Sequence, residues 1–284
     1  MKIQKLQSRT KEVTIKTIEK WLGIDLSKFD DLQKEEILKG YKNGLLKKQI
    51  LIYAKSKYNW LQMYEIREAL KKGLNSEQIG IIIDEKFKFN WGQMGEIRIG
   101  FERGLGEKVK IFTKKEFKWK QMKQIRLAIE YGLDDKQIEL IAKPYFNWKQ
   151  MREIRIGLEK LNIKQVLIYA KPIFNNLQME VIRKYLEKNY PEDFIKIITN
   201  PDFDEKQMIE IIKGLKNNLS IRQVNFYARK EFNWKQMEQL RLAHENKLSE
   251  KQILEFAKPE ITADEMMIIR EYYEIKNKRE IIKK

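Results

Sequence analysis

The 284-residue chain contains no cysteine, which excludes disulfides, thiolate metal sites and cysteine nucleophiles together, so the fold must stand on packing alone. Its 58 Lys plus Arg against 41 Asp plus Glu leave a formal net charge of +17, a balance that favours polyanions such as nucleic acid or acidic protein surfaces. The N-terminus is charged throughout and no later stretch approaches the roughly 18 apolar residues of a membrane span, so a soluble, cytoplasmic protein is expected.

Residues 1 to 28 precede the first copy of any motif, and Val13, Ile15, Ile18, Trp21 and Leu22 read as the apolar side of an N-terminal capping helix. From residue 29 to 274 a block of the form F-N-W-K-Q-M-x-x-I-R-x-A/G-L-E-x-G-L recurs. With the Gln-Met pair as anchor, the Met position falls at Lys34, Met63, Met94, Met122, Met151, Met179, Met208, Met237 and Met266, spaced by 29, 31, 28, 29, 28, 29, 29 and 29 residues. Each copy opens on a capping box. Asp30, Asn59, Asn90, Asn147, Asn175, Asp204, Asn233 and Thr262 stand three residues before Gln or Glu, so the cap accepts an orphan amide and the third side chain reaches back. Phe89 with Met94, Phe146 with Met151 and Phe232 with Met237 have the spacing of hydrophobic staples.

Gly44, Gly73, Gly104 and Gly132 mark the end of this first helix, and Asn218 substitutes in a later copy. A shorter second helix starts at Asn75, Asp134, Asn162, Ser220 and Ser249, and the prolines at 144, 172, 201 and 259 are expected to close it. Helical hairpins too small to hide their own apolar faces must shelter one another. The expected fold is therefore all-α, an α-solenoid of about nine two-helix repeats of about 29 residues. Residues 275 to 284 read as a basic C-terminal tail.

Three groups of side chains are candidates for function. Arginine recurs four residues after the Met position, at Arg67, Arg98, Arg126, Arg155, Arg183, Arg241 and Arg270, which suggests a phosphate-binding track. Glutamate follows four residues later at Glu102, Glu130, Glu159, Glu187, Glu245 and Glu274, and the two come and go together, so a structural ion pair is the favoured reading. Tryptophan opens the first helix at Trp60, Trp91, Trp119, Trp148 and Trp234, on the same ridge as Met and Arg. Burial in the seams between copies is the favoured reading; the functional one is a partner groove made of these five indoles with Arg67, the Arg that lacks the following Glu.

The third group is a departure from the repeat. Residues 108 to 126 hold eight basic side chains, Lys108, Lys110, Lys114, Lys115, Lys118, Lys120, Lys123 and Arg126, against the single acid Glu116, and Lys118 replaces the usual cap. A lysine there forgoes about 0.5–2 kcal/mol of capping. These eight are the candidate nucleic-acid contacts, with a plain solvated lysine face as the competing reading. His244, the only histidine, occupies a slot that is apolar in other copies, and no dyad, Gly-rich phosphate loop or metal-ligand set is recognisable, so neither catalysis nor a cofactor is expected.

The run from Phe232 to Ala243, F-N-W-K-Q-M-E-Q-L-R-L-A, and its sister copies resemble short tandem helical repeats in proteins of low-GC bacteria, their phages and mobile elements. The resemblance covers about residues 29 to 274 and carries over no site residue. It implies an accessory or phage-borne role, including interference with a nucleic-acid-guided, CRISPR-like defence complex. Two kinds of partner remain open: nucleic acid or a ribonucleoprotein, RNA favoured, and a peptide or acidic protein surface held in a solenoid groove.

Overall fold

The computed structural model describes residues 14 to 189 and 194 to 282, and the described residues are helices joined by turns, without strands. The chain divides into two compact units, Met1–Pro144 and Tyr145–Lys284. In the first, α1 (Ile15–Leu22) is followed by α2 (Asp31–Lys42), α3 (Lys47–Tyr53), α4 (Trp60–Lys71), α5 (Ser76–Ile82), α6 (Trp91–Glu102), α7 (Val109–Phe112), α8 (Trp119–Glu130) and α9 (Asp135–Ile141). In the second the order is α10 (Trp148–Leu158), α11 (Ile163–Tyr169), α12 (Asn176–Leu186), α13 (Ile195–Ile198), α14 (Glu205–Lys216), α15 (Ile221–Tyr227), α16 (Trp234–Glu245), α17 (Glu250–Phe256) and α18 (Ala263–Ile282). Within each unit the long first arms pack on one another in sequence, α2 on α4 on α6 on α8 and α10 on α12 on α14 on α16 on α18, and each short arm packs beside at least one neighbouring long arm. Each unit is thus a stack of helical hairpins, the solenoid arrangement that the repeat demands.

The capping boxes form as the spacing predicts. The Asn59 side chain accepts from the Gln62 amide at 2.9 Å and the Gln62 side chain accepts from the Asn59 amide at 3.1 Å, and the same exchange recurs at Asp30, Asn90, Asn147, Asn175, Asp204 and Asn233. Gly44, Gly73, Gly104 and Gly132 take left-handed φ of 74° to 80°, and Asn218 does so at 62°. The following leucine closes the turn: Leu45, Leu74, Leu105 and Leu133 each donate to the carbonyl five residues back, a Schellman arrangement.

The second arm ends differently from the expectation. Ala54, Ala142, Ala170, Ala228 and Ala257 sit near φ −70° to −75° and ψ 51° to 69°, and the next residue donates to the carbonyl two back at 2.7–2.8 Å. This is an inverse γ-turn. It forms equally at Ala54 and Ala228, where no proline follows, so the alanine turn stops the helix and proline only stiffens the next step.

Inside each hairpin the two arms are matched for size. A β-carbon on Gly157 would stand 1.7 Å from the Tyr169 hydroxyl oxygen, and Gly40 with Tyr53 and Gly214 with Tyr227 repeat the fit. Each of these hydroxyls donates to a carbonyl of the facing arm, at Glu36, Glu153 or Glu210. Copies with alanine at that position have a side chain without the hydroxyl opposite in register, Ile82 for Ala69, Ile141 for Ala128 and Phe256 for Ala243.

At the N-terminal end α1 lies on α2 and α3 through Ile18 and Leu22, and Trp21 meets Tyr41 edge to face at 5.0 Å. Residues 1 to 13, including Val13, lie outside the described residues. At the other end α18 runs without a break through residue 275 into the basic segment, and Asn277 bonds Gln252 at 2.9 Å. Lys283 and Lys284 lie outside the described residues.

Candidate nucleic-acid interface and the seams beside it

Two polar links recur at the seams within each unit. The first is made by the capping glutamine. Its Oε1 is occupied by its own cap, and its Nε2 donates to a backbone carbonyl just before the next copy: Gln33 to Tyr58 at 2.6 Å, Gln62 to Phe89 at 2.8 Å, Gln93 to Phe117 at 2.8 Å, Gln150 to Phe174 at 2.8 Å and Gln207 to Phe232 at 2.6 Å. Glutamate would cap equally well but has no hydrogen to give. In the ninth copy the position is Glu265, whose carboxylate accepts from Thr262 at 2.8 Å; there α18 continues as one helix and no following copy presents a carbonyl among the described residues.

The second link is the arginine. Arg67, Arg98 and Arg126 each donate through Nε to a carboxylate of the preceding copy, Glu36, Glu65 and Glu96, at 2.8 Å. In the other unit Arg241 meets Glu210 at 2.9 Å and Arg183 meets Glu153 at 3.0 Å, while Arg270 bonds Gln239 at 3.0 Å. The far edge of each fork holds the glutamate of its own helix, as in Arg98 with Glu102 and Arg126 with Glu130, both at 2.6 Å. Burial works against the Arg126 charge, but hydrogen bonds and charge from Glu96 and Glu130 outweigh it and keep the guanidinium above its ordinary pKa. Burial raises the Glu65 carboxyl, and Arg98 pulls it part of the way back.

Two candidate residues are corrected by this geometry. Arg126 is 6% exposed and Arg67 is 4% exposed, and each is held by two carboxylates, Arg126 by Glu96 and Glu130 and Arg67 by Glu36 and Glu68. Neither is available to a phosphate or a partner groove. The acceptors across the seam, two residues after the Met position, were missed by sequence reasoning. Their signal was present: where the arginine is replaced by Ile212, the preceding copy has Val181 in place of the acid.

Trp91, Trp119 and Trp234 sit at seams between copies of one unit, with part of each indole in solvent. Trp119 lies on Gly92 of the preceding copy, where a β-carbon would come within 2.8 Å of the indole, and its centroid is 6.4 Å from that of Trp91. Trp234 carries Lys206 of the preceding copy at 5.2 Å and Lys235 of its own helix at 5.7 Å. Lys120 and Lys149 stand likewise over Trp119 and Trp148. Trp60 and Trp91 are the most exposed of the five, yet Arg67 does not join Trp60: its guanidinium sits over the Tyr64 ring at 5.3 Å.

The lysine cluster divides into two groups because the chain reverses within it. Lys108 and Lys110 lie at the start of the short arm beside acids, Lys110 with Glu107 at 2.6 Å and Lys108 with Asp135 at 4.0 Å. Lys114, Lys115, Lys118 and Lys120 gather at the other end of that arm, on the turn into α8, and Lys123 follows one turn along α8. All seven lysines are exposed, and Lys114, Lys115, Lys118 and Lys123 make no ion pair among the described residues. At the cap of α8 only half the box forms: the Lys118 amide donates to Gln121 Oε1 at 2.8 Å, and Lys118 has no side-chain acceptor to return the bond.

A different surface feature occupies the seam between α12 and α14. Glu205 stands where five other copies carry tryptophan in the same register, and Val181 and Ile212 replace the ion pair. The result is a recess of about 630 Å³ floored by Leu177, Val181, Tyr185, Ile209 and Ile212 and rimmed by lysine and glutamate. His244 is buried against Phe226, its Nε2 has no hydrogen-bond partner, and burial lowers its pKa.

Among the described residues no three His, Asp or Glu side chains converge as metal ligands, and no helix is long and apolar enough to cross a membrane. Compared with protein-family models, curated proteins and solved structures, the chain matches none. What the fold defines is an all-α helical-repeat protein.

Proposed function

We propose that the chain is a non-catalytic cytoplasmic scaffold that binds nucleic acid or a ribonucleoprotein, RNA favoured, through the basic turn at the head of α8. The observation that carries this reading is the concentration of Lys114, Lys115, Lys118 and Lys120 on one exposed turn. The lysine at the cap gives up local stability, and its return is charge in a place where other copies carry a neutral or acidic side chain. Lys123 extends the positive surface one turn along α8, while Lys108 and Lys110 form a separate, acid-paired group. A phage or mobile-element factor acting on a nucleic-acid-guided defence complex is the setting that the repeat's resemblance implies.

The reading is tested by titrating fluorescent RNA and DNA across a salt series. Binding weakens steeply with salt, and changing Lys114, Lys115, Lys118 and Lys120 to Glu flattens the slope of log K against log salt by about three to four units. Failure of both nucleic acids to bind at about 50 mM salt refutes the reading.

The recess between α12 and α14 supports a second one, a protein-binding scaffold that takes an apolar anchor side chain of a peptide or of an acidic protein surface. A pull-down from nuclease-treated extract separates the two. A protein retained without nucleic acid favours the scaffold, and loss of all partners favours the nucleic-acid reading.

A further inference from the structure

In α14 and α16 the positions two and six residues after the Met position, Glu210 and Gly214, Gln239 and Ala243, are buried by the next copy and by the copy's own short arm. In α18 the same positions are Ile268 and Tyr272, and both are exposed, Ile268 at 65%. The helix then continues for 20 residues in all, against 11 or 12 in the other long arms, and adds exposed Ile275 and Ile282, the latter at 84%. Ile268, Ile275 and Ile282 are seven residues apart, with Tyr272 and Arg279 four residues after the first two. A seven-residue period drifts only about 20° per heptad on a straight helix, so these side chains form one stripe.

The stripe is polar in its charge. Its N-terminal flank exposes Asp264, Glu265 and Glu271, and its C-terminal flank exposes Lys276, Lys278 and Arg279 against the single acid Glu280. We propose that this stripe is a self-association surface, on which α18 of a second copy of the chain packs antiparallel about a two-fold axis at Ile275. In that register Ile275 meets its own counterpart, Ile268 meets Ile282, and Glu271 meets Arg279, each pairing occurring twice by symmetry. A parallel pair would set Glu271 on Glu271 and Arg279 on Arg279, which like charge disfavours. The charge gradient along α18 therefore selects an inverted copy of itself as the occupant.

Sedimentation velocity of the full chain over a concentration series shows a reversible monomer–dimer equilibrium. Ile275→Lys weakens it at least about tenfold, since two buried isoleucines are lost per dimer. Glu271→Arg and Arg279→Glu each weaken dimerisation alone, and an equimolar mixture of the two single variants restores it, because a heterodimer has both charge contacts complementary. These side chains are exposed, so circular dichroism and thermal melting serve as the control for folding. A chain that stays monomeric at every concentration, a dimer indifferent to Ile275→Lys, or a mixture no better than either variant alone overturns the proposal.

Discussion

Val181 and Ile212 line one recess between α12 and α14, at the two register positions that Glu153 and Arg183 fill in the preceding seam. One repeat thus carries two solutions to the same junction, a buried ion pair and an aliphatic pair. Breaking a buried pair leaves a charge without compensation and costs about 3–5 kcal/mol, whereas replacing both members by apolar residues is often neutral. Arg183→Met is expected to lower unfolding stability by that amount, and Glu153→Val with Arg183→Ile to recover most of it. Urea denaturation of the three proteins checks this; a double variant as unstable as the single one would mean that the two seams are not equivalent.

The capping glutamine gives a sharper comparison. Gln207→Glu keeps the cap but turns a donor into a second acceptor against the Phe232 carbonyl, at a cost of about 1–3 kcal/mol. Glu265→Gln, in the copy with no carbonyl to reach among the described residues, is expected to change stability by less than about 0.5 kcal/mol. Chemical denaturation resolves the difference.

Lys118→Asn installs the cap used in the flanking copies at Asn90 and Asn147. It should raise stability by about 0.5–2 kcal/mol while reducing affinity for RNA. The two effects have opposite sign, so loss of binding cannot be blamed on unfolding. A stabilised variant with undiminished RNA affinity would remove Lys118 from the interface.

Burial depresses the His244 pKa below its ordinary 6.5, with Glu250 opposing weakly. Above 6.5 the ring is neutral in both folded and unfolded chains. As the pH falls through that value the unfolded chain takes up a proton that the folded one refuses, so stability declines until the folded pKa is reached and is constant below it. His244→Leu, the residue at the equivalent positions 70 and 158, removes this decline and the unpartnered Nε2. Its melting temperature relative to the parent should therefore rise between about pH 7.5 and about pH 5.

The local features of the fold were legible because they follow from short spacings: Asn59 to Gln62 sets a cap, Gly73 a left-handed turn, and Arg98 to Glu102 an ion pair on one helix. Which neighbours in sequence are neighbours in space was not legible. Arg126 joined the lysine cluster on the linear chain, yet four residues after a buried Met122 it points into the seam. Lys108 and Lys118 look like one patch in sequence, but a helical arm and a chain reversal separate them. The partner of Arg126, Glu96, is 30 residues away in the preceding copy, a distance at which only the paired loss of acid and arginine at Val181 and Ile212 leaves a trace.

Because Gln33, Gln62 and Gln93 all reach the same address one period downstream, the array behaves like a row of interlocking tiles. Excising a whole tile brings together edges that already match. A single extra residue inside a long arm turns everything beyond it by about 100°, so that the amide and the guanidinium miss their sockets together. Evolution can therefore lengthen or shorten such a protein in whole tiles far more freely than it can shift its phase.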